Sequence, residues 1–158
     1  MTNERSVLTY ENRHGKNEDK GKGIFTVYSV DKRIKITIVD DEKDLVGVIK
    51  DFLEERGLSV STAFNGREGV EVIKRERPDL IVLDIIMPGM DGRDVLVELK
   101  KDLQTKDIPV IILTVKSEQL DRTYGLELGA YEYLAKPYDG YRLLRQINRI
   151  LDKKRDPS

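Results

Sequence analysis

From Ile34 onward, short runs of Val, Ile and Leu alternate about five times with stretches whose apolar residues recur at helical spacing. A run of four to six apolar residues bounded by turn signals suits a strand covered on both faces, whereas a period near 3.6 gives a helix with one covered face. Strands are read at 34–39 (IKITIV), 58–63 (LSVSTA), 80–83 (LIVL), 110–113 (VIIL) and 131–135 (YEYLA). Leu45, Val46, Val48, Ile49, Phe52 and Leu53 mark the first helix, which stops at Gly57, a residue suited to the left-handed turn past a helix end. Asn65, with Glu68 three residues on, has the form of a capping box for a helix through Val70 and Ile73 that Pro78 ends. A further helix follows Gly92 through Val95, Leu96 and Leu99; Ser117 can cap the next, which stops at Gly129; the last spans about Asp139 to Lys153. The first, third and fourth strands are nearly unbroken Val/Ile/Leu, so the pattern predicts an α/β protein with a doubly wound parallel sheet and helices on both faces. In such sheets ligands and chemistry gather beyond the carboxyl ends of the strands.

Those ends carry a particular set of side chains. Asp40 and Asp41 follow the first strand, Asp84 the third, Thr114 the fourth and Lys136 the fifth. Taken singly, each has an ordinary explanation: an Asp pair caps a helix and suits its dipole, an Asp starts a turn, a Thr ends a strand, a Lys is solvated. Taken together, three carboxylates, a hydroxyl and an ammonium meet on one rim. Clustered carboxylates repel one another and need a counter-charge, and Mg²⁺ is the hard cation that takes few protein oxygens while keeping sites for water and phosphate. A metal beside an aspartate suits phosphoryl transfer, and an aspartate can itself be the nucleophile. The apolar strand before Asp84 then serves as a rigid post for that carboxylate.

The segments IVDDE (38–42), LDIIMPGMDG (83–92), ILTVKSE (112–118) and YLAKPY (133–138), in that order and spacing, closely resemble the receiver domain of two-component response regulators, over about residues 33 to 153. The resemblance implies a flavodoxin-like sheet of five parallel strands in the order 2-1-3-4-5. It implies that Asp84 accepts a phosphoryl group from the phosphohistidine of a histidine kinase. Asp40, Asp41, Asp84 and the backbone carbonyl of Ile86 would help hold Mg²⁺, and Lys136 would contact the phosphoryl group. The bond from Lys136 to Pro137 would be cis. Thr114 would move toward the phosphate and let Tyr133 turn inward, repacking the face made by the fourth helix, fifth strand and fifth helix.

Two places depart from the family's commonest pattern. Val115 stands where a small residue usually follows the threonine, so its branched side chain would narrow access to the phosphoryl group. Ile86 and Lys116, the second residues after Asp84 and Thr114, offer no carboxylate or amide to orient an attacking water; slow self-dephosphorylation is the expectation. The same Ile86 argues against a Mg²⁺-dependent aspartyl-phosphate hydrolase, which uses a second Asp there. A flavin- or nucleotide-binding module would need a Gly/Ser/Thr-rich loop after the first strand, where this chain has DDEKD. A degenerate receiver that binds partners without phosphorylation is disfavoured by the intact Asp84, Thr114 and Lys136.

Composition narrows the partners. Of 158 residues 36% are charged, yet the formal net charge is −1, so no global field favours nucleic acid or an anionic membrane. The chain has no cysteine, no apolar run near 20 residues, and Asn3, Glu4 and Arg5 where a leader would be apolar, so a cytoplasmic, non-membrane protein is expected. Residues 1–32 form an extension: ENRHGKNEDKGKG (11–23), with the lone His14, is polar, and the strand-like segments at 7–10 and 24–30 flank it, giving either a disordered tail or a short hairpin. The receiver is placed at 33–154 and a tail at 155–158. With only DKKRDPS after the last helix, a stand-alone phosphoacceptor is expected rather than an enzyme acting on a separate substrate. It would signal to a histidine kinase, a phosphotransfer protein or another protein target, as monomer or dimer, without binding DNA. Arg142, Arg145 and Arg149 share a face of the last helix, read as solvated or as a docking surface; relatives that dimerise there usually carry an acid at the Arg142 position, so that mode is not expected.

Overall fold

The computed structural model describes residues 7–9, 24–26, 33–115 and 129–156. The chain divides between Arg33 and Ile34 into two compact units. In the first, β1 (Val7–Thr9) and β2 (Ile24–Thr26) pair antiparallel with Leu8 opposite Phe25. His14 and the polar segment around it lie outside the described residues.

The second unit runs β3 (Lys35–Val39), α1 (Lys43–Glu54), β4 (Ser59–Ala63), α2 (Gly66–Glu76), β5 (Leu80–Asp84), α3 (Gly92–Lys101), β6 (Val110–Val115), β7 (Glu132–Lys136) and α4 (Gly140–Arg155). The helix expected to open at Ser117 lies outside the described residues. All five strands are parallel, in the order β4-β3-β5-β6-β7, which is 2-1-3-4-5 counted along this unit. That is the doubly wound, flavodoxin-like sheet expected from the alternation of strands and helices. β5 lies at its centre with every residue buried, because strands pair with it on both edges and helices cover both faces. Pleating sends Ile81 and Leu83 into one cluster with Val70, Ile73, Val95 and Leu99 of α2 and α3. Leu80 and Val82, equally buried, point to the opposite face, on which α1 and α4 pack together.

Local chemistry sets the ends of these elements. Asn65 accepts a hydrogen bond from Glu68 N at 2.9 Å, and the Glu68 carboxylate reaches back to Phe64 N at 3.0 Å, one residue earlier than a strict capping box. Gly57 takes φ 85° after α1, a conformation that costs glycine little. In α1 the buried stripe is Val46, Ile49 and Leu53, while Val48 is 66% exposed. Val48 stands about 200° around the helix from Val46, off the stripe, although its apolar character had suggested the covered face. At the junction of α1 and α4, the Arg56 guanidinium lies 3.4 Å over the Phe52 ring, donates to Phe52 O at 2.7 Å and reaches the Tyr141 hydroxyl at 3.4 Å.

Candidate functional site

Parallel pairing brings the carboxyl ends of β3, β5, β6 and β7 to one rim. Asp40 follows β3 and is fully buried. Its backbone N donates to Ala63 O at 3.1 Å and its Oδ1 accepts from Glu42 N at 2.9 Å, so the carboxylate is locked by the turn into α1. Asp41, next along, is exposed. Asp84 ends β5 in register with Leu113, and Lys136 ends β7 in register with Val115. The loop after Asp84 folds back tightly: Gly92 N donates to Ile85 O at 2.8 Å, and a Cβ at Gly92 would run into the Asp84 carbonyl oxygen. Glycine at 92 therefore keeps the loop closed against Asp84. Asp91 then caps α3, accepting from Arg93 N at 2.8 Å and Asp94 N at 3.2 Å. Beyond β7 the Lys136–Pro137 peptide is cis, and Asp139 caps α4 through Arg142 N at 2.8 Å.

Asp40, Asp41 and Asp84 each offer an oxygen, all within 4.8 Å of one another. Lys136 Nζ stands among the acids, 3.2 Å from Asp84 Oδ2, 3.0 Å from Asp40 Oδ2 and 2.7 Å from Glu42 Oε1. The Asp40 contact is close but poorly aligned, so among the described residues this buried oxygen has an ionic neighbour and no well-directed hydrogen bond. An incompletely satisfied buried carboxylate oxygen in a cluster of acids is the donor set a hard divalent cation takes. Burial and the Asp40 charge push the Asp84 carboxyl up to about 6, with Lys136 opposing. Burial alone would lower the Lys136 ammonium, but its hydrogen bond to Glu42 and its close contact with the Asp40 carboxylate, with the charge of Asp84, leave it raised. The pocket thus holds a charged lysine against an aspartate that ionises at a higher pH than a solvated carboxylate.

Ile86 lies in the loop two residues past Asp84, its side chain 58% exposed. Val115 is 40% exposed and stands in register with Lys136 on the neighbouring strand. Thr114 is on β6 in register with Ala135; its side chain, like Lys116, lies outside what is described. Tyr133 is buried in the cluster of α2 and α3 side chains, whereas Tyr131 is exposed. The arginines of α4 are more than a solvated row: Arg149 forms an ion pair with Glu132 of β7, and Arg142 Nη1 reaches Pro137 O at 3.4 Å.

Two residues at the rim escaped the sequence reading. Glu42 pairs with Lys136 across 94 positions, and no local pattern announces such a contact. Tyr138 is buried, its hydroxyl has no hydrogen-bond partner among the described residues, and burial, with the Asp40 charge, raises its phenol. Its place directly after the Lys-Pro step was the only available signal.

Residues 36–148 match the family of the response regulator receiver domain. Protein PilH of Pseudomonas aeruginosa is 41% identical over 117 residues, covering 74% of this chain and 97% of that protein. A CheY-like response regulator receiver domain protein from Methanospirillum hungatei superposes with TM-score 0.74 at 28% identity, over 80% of this chain and 100% of that one. Chemotaxis protein CheY4 of Vibrio cholerae gives TM-score 0.72 at 28% identity, over 75% and 99%. With the doubly wound sheet and the acidic rim, these matches define a two-component signalling module, and the chain belongs to the response regulator receiver family. Receivers in general bind Mg²⁺ at such an acidic pocket and work with histidine kinases or phosphotransfer proteins. Among the described residues, no helix is long and apolar enough to cross a membrane.

Proposed function

We propose that this receiver accepts a phosphoryl group on Asp84 from a histidine kinase's phosphohistidine, acting as a phosphorylation-dependent binding module in the cytoplasm. The observation that carries this reading is Asp84 Oδ2 held 3.2 Å from Lys136 Nζ within a group of three aspartates whose oxygens lie within 4.8 Å. An Asp84 oxygen attacks phosphorus, the P–N bond to the donor imidazole breaks, and its electron pair returns to the leaving ring. Lys136 offsets the charge on one phosphoryl oxygen and the Thr114 hydroxyl hydrogen-bonds another. Asp40, Asp41, Asp84 and the Ile86 carbonyl would hold Mg²⁺, which when bound neutralises the crowded carboxylates and polarises the phosphoryl oxygens.

The protein changes only its own phosphorylation state. Thr114 is drawn toward the phosphoryl group; Tyr133, which was expected to turn inward only then, is already buried against α2 and α3, and the change reaches partners through the segment after Lys116, β7 and α4. Val115 narrows the mouth, and neither Ile86 nor Lys116 positions a water, so the acyl phosphate is long-lived. The receiver occupies 33–154, with 1–32 as an extension and 155–158 as a tail.

The test is intact mass after incubation with acetyl phosphate and Mg²⁺, beside Asp84→Asn. One added phosphoryl group, absent from the variant and without metal, is expected. No addition from either acetyl phosphate or a phosphorylated histidine kinase would overturn the reading in favour of a module that signals by binding alone.

A further inference from the structure

Lys136 is surrounded by three carboxylates, and the nearest is not one of the aspartates. Glu42 Oε1 lies 2.7 Å from its Nζ, against 3.0 Å for Asp40 and 3.2 Å for Asp84. A lysine ammonium has three N–H donors and no more. Its two directed hydrogen bonds go to Glu42 and Asp84, with Asp40 an ionic neighbour, so a phosphoryl oxygen arriving on Asp84 must share the ammonium with the carboxylates already around it.

The three differ in how easily they can leave. Asp40 is fully buried, tied to Glu42 N, and one of the clustered aspartates. Asp84 is itself the acceptor in the reading above. The Glu42 side chain is 57% exposed and can turn into water at small cost. It also stands at the N-cap of α1, where a side chain ordinarily accepts a hydrogen bond from the helix, yet it makes no such bond. Its carboxylate is committed instead to a lysine on another strand.

From this arrangement we infer that Glu42 is a positioning residue, a carboxylate latch that holds Lys136 in the unphosphorylated protein and competes with the phosphoryl group for it. The inference rests on the phosphoacceptor reading. Glu42 orders the ammonium beside Asp84 before the donor arrives, and it weakens the phosphorylated state by the strength of the contact surrendered. Because the pair is half in solvent, the effect is modest: removing the latch should tighten binding of a phosphoryl mimic about two- to fivefold.

The test is calorimetric titration of the full chain with beryllofluoride in saturating Mg²⁺. Wild type is compared with Glu42→Gln, Glu42→Ala and Asp44→Asn. Asp44, an acid in the first turn of α1, has no contact with Lys136, so Asp44→Asn removes the same charge without removing a contact. Tighter binding by both Glu42 variants, with Asp44→Asn like wild type, is the expected result; damage to the fold would weaken binding instead. Binding unchanged or weaker in both Glu42 variants, or tightened equally by Asp44→Asn, would overturn the latch while leaving the phosphoacceptor reading intact. Wild type that takes no beryllofluoride would overturn that reading, and the latch with it.

Discussion

Replacing Asp84 by asparagine should make the metal-free protein more stable at neutral pH, although it removes a partner of Lys136. Burial and the Asp40 charge raise the Asp84 carboxyl from 3.8 to about 6, so the folded state resists an ionisation that the unfolded chain accepts freely. By linkage that difference costs the folded protein about 3 kcal/mol once the pH is well above 6. Asparagine keeps the shape and carries no charge, and Lys136 retains Asp40 and Glu42, so most of the cost should be recovered. For a unit of this size the gain corresponds to a rise in Tm of roughly 5 to 10 °C. The pH dependence identifies the cause. A raised carboxyl destabilises nothing below its unfolded value, because both states are then protonated; the cost grows as pH rises from 3.8 to about 6 and is complete above that. Thermal unfolding of both proteins in EDTA should therefore show a large gap at pH 7.5 that closes toward pH 4. A variant no more stable than wild type at pH 7.5, or a gap that persists at pH 4, would refute the claim that Asp84 is held against its charge. Added Mg²⁺ should stabilise wild type more than the variant.

Other substitutions probe separate parts of the argument. Val115→Ala should speed phosphorylation by acetyl phosphate by opening the mouth, and Ile86→Asn should shorten the acyl-phosphate lifetime several-fold by offering an amide to water; mass-resolved decay curves check both. Gly92→Ala should disrupt the loop against Asp84 and lose phosphoryl acceptance together with a large part of the stability, seen in urea unfolding. Asn65→Ala should cost about 1 kcal/mol through loss of the α2 cap with no change in phosphorylation rate. Arg56→Ala should cost roughly 1–3 kcal/mol, because it removes the guanidinium stacked on Phe52 and its hydrogen bond to Phe52 O; chemical denaturation would measure it.

The order of strands and helices and the rim on which Asp40, Asp41, Asp84 and Lys136 lie were legible in the chain, because hydrophobic period and turn residues act over a few positions at a time. Asn65 opened α2, and Gly57 and Pro78 lie just past the ends of α1 and α2, as local chemistry requires. Val48 misled, since an apolar residue does not reveal which side of a helix the rest of the fold will cover. The α4 arginines are exposed as a solvated face requires, but the ion pair of Arg149 was not legible: its partner Glu132 comes from a strand, and no spacing within the helix points to it.

The meeting of Lys136 with Asp84 across 52 positions and with Glu42 across 94 depends on β3, β5, β6 and β7 pairing in one order and register. So does the depth at which Asp84 is buried, and with it the cost of its charge. Secondary structure follows from short-range periodicity, whereas electrostatics depends on distance and on exclusion of water, and packing between distant segments sets both. Sequence alone therefore determined which groups stand on the rim; the assembled sheet set how strongly each holds the others.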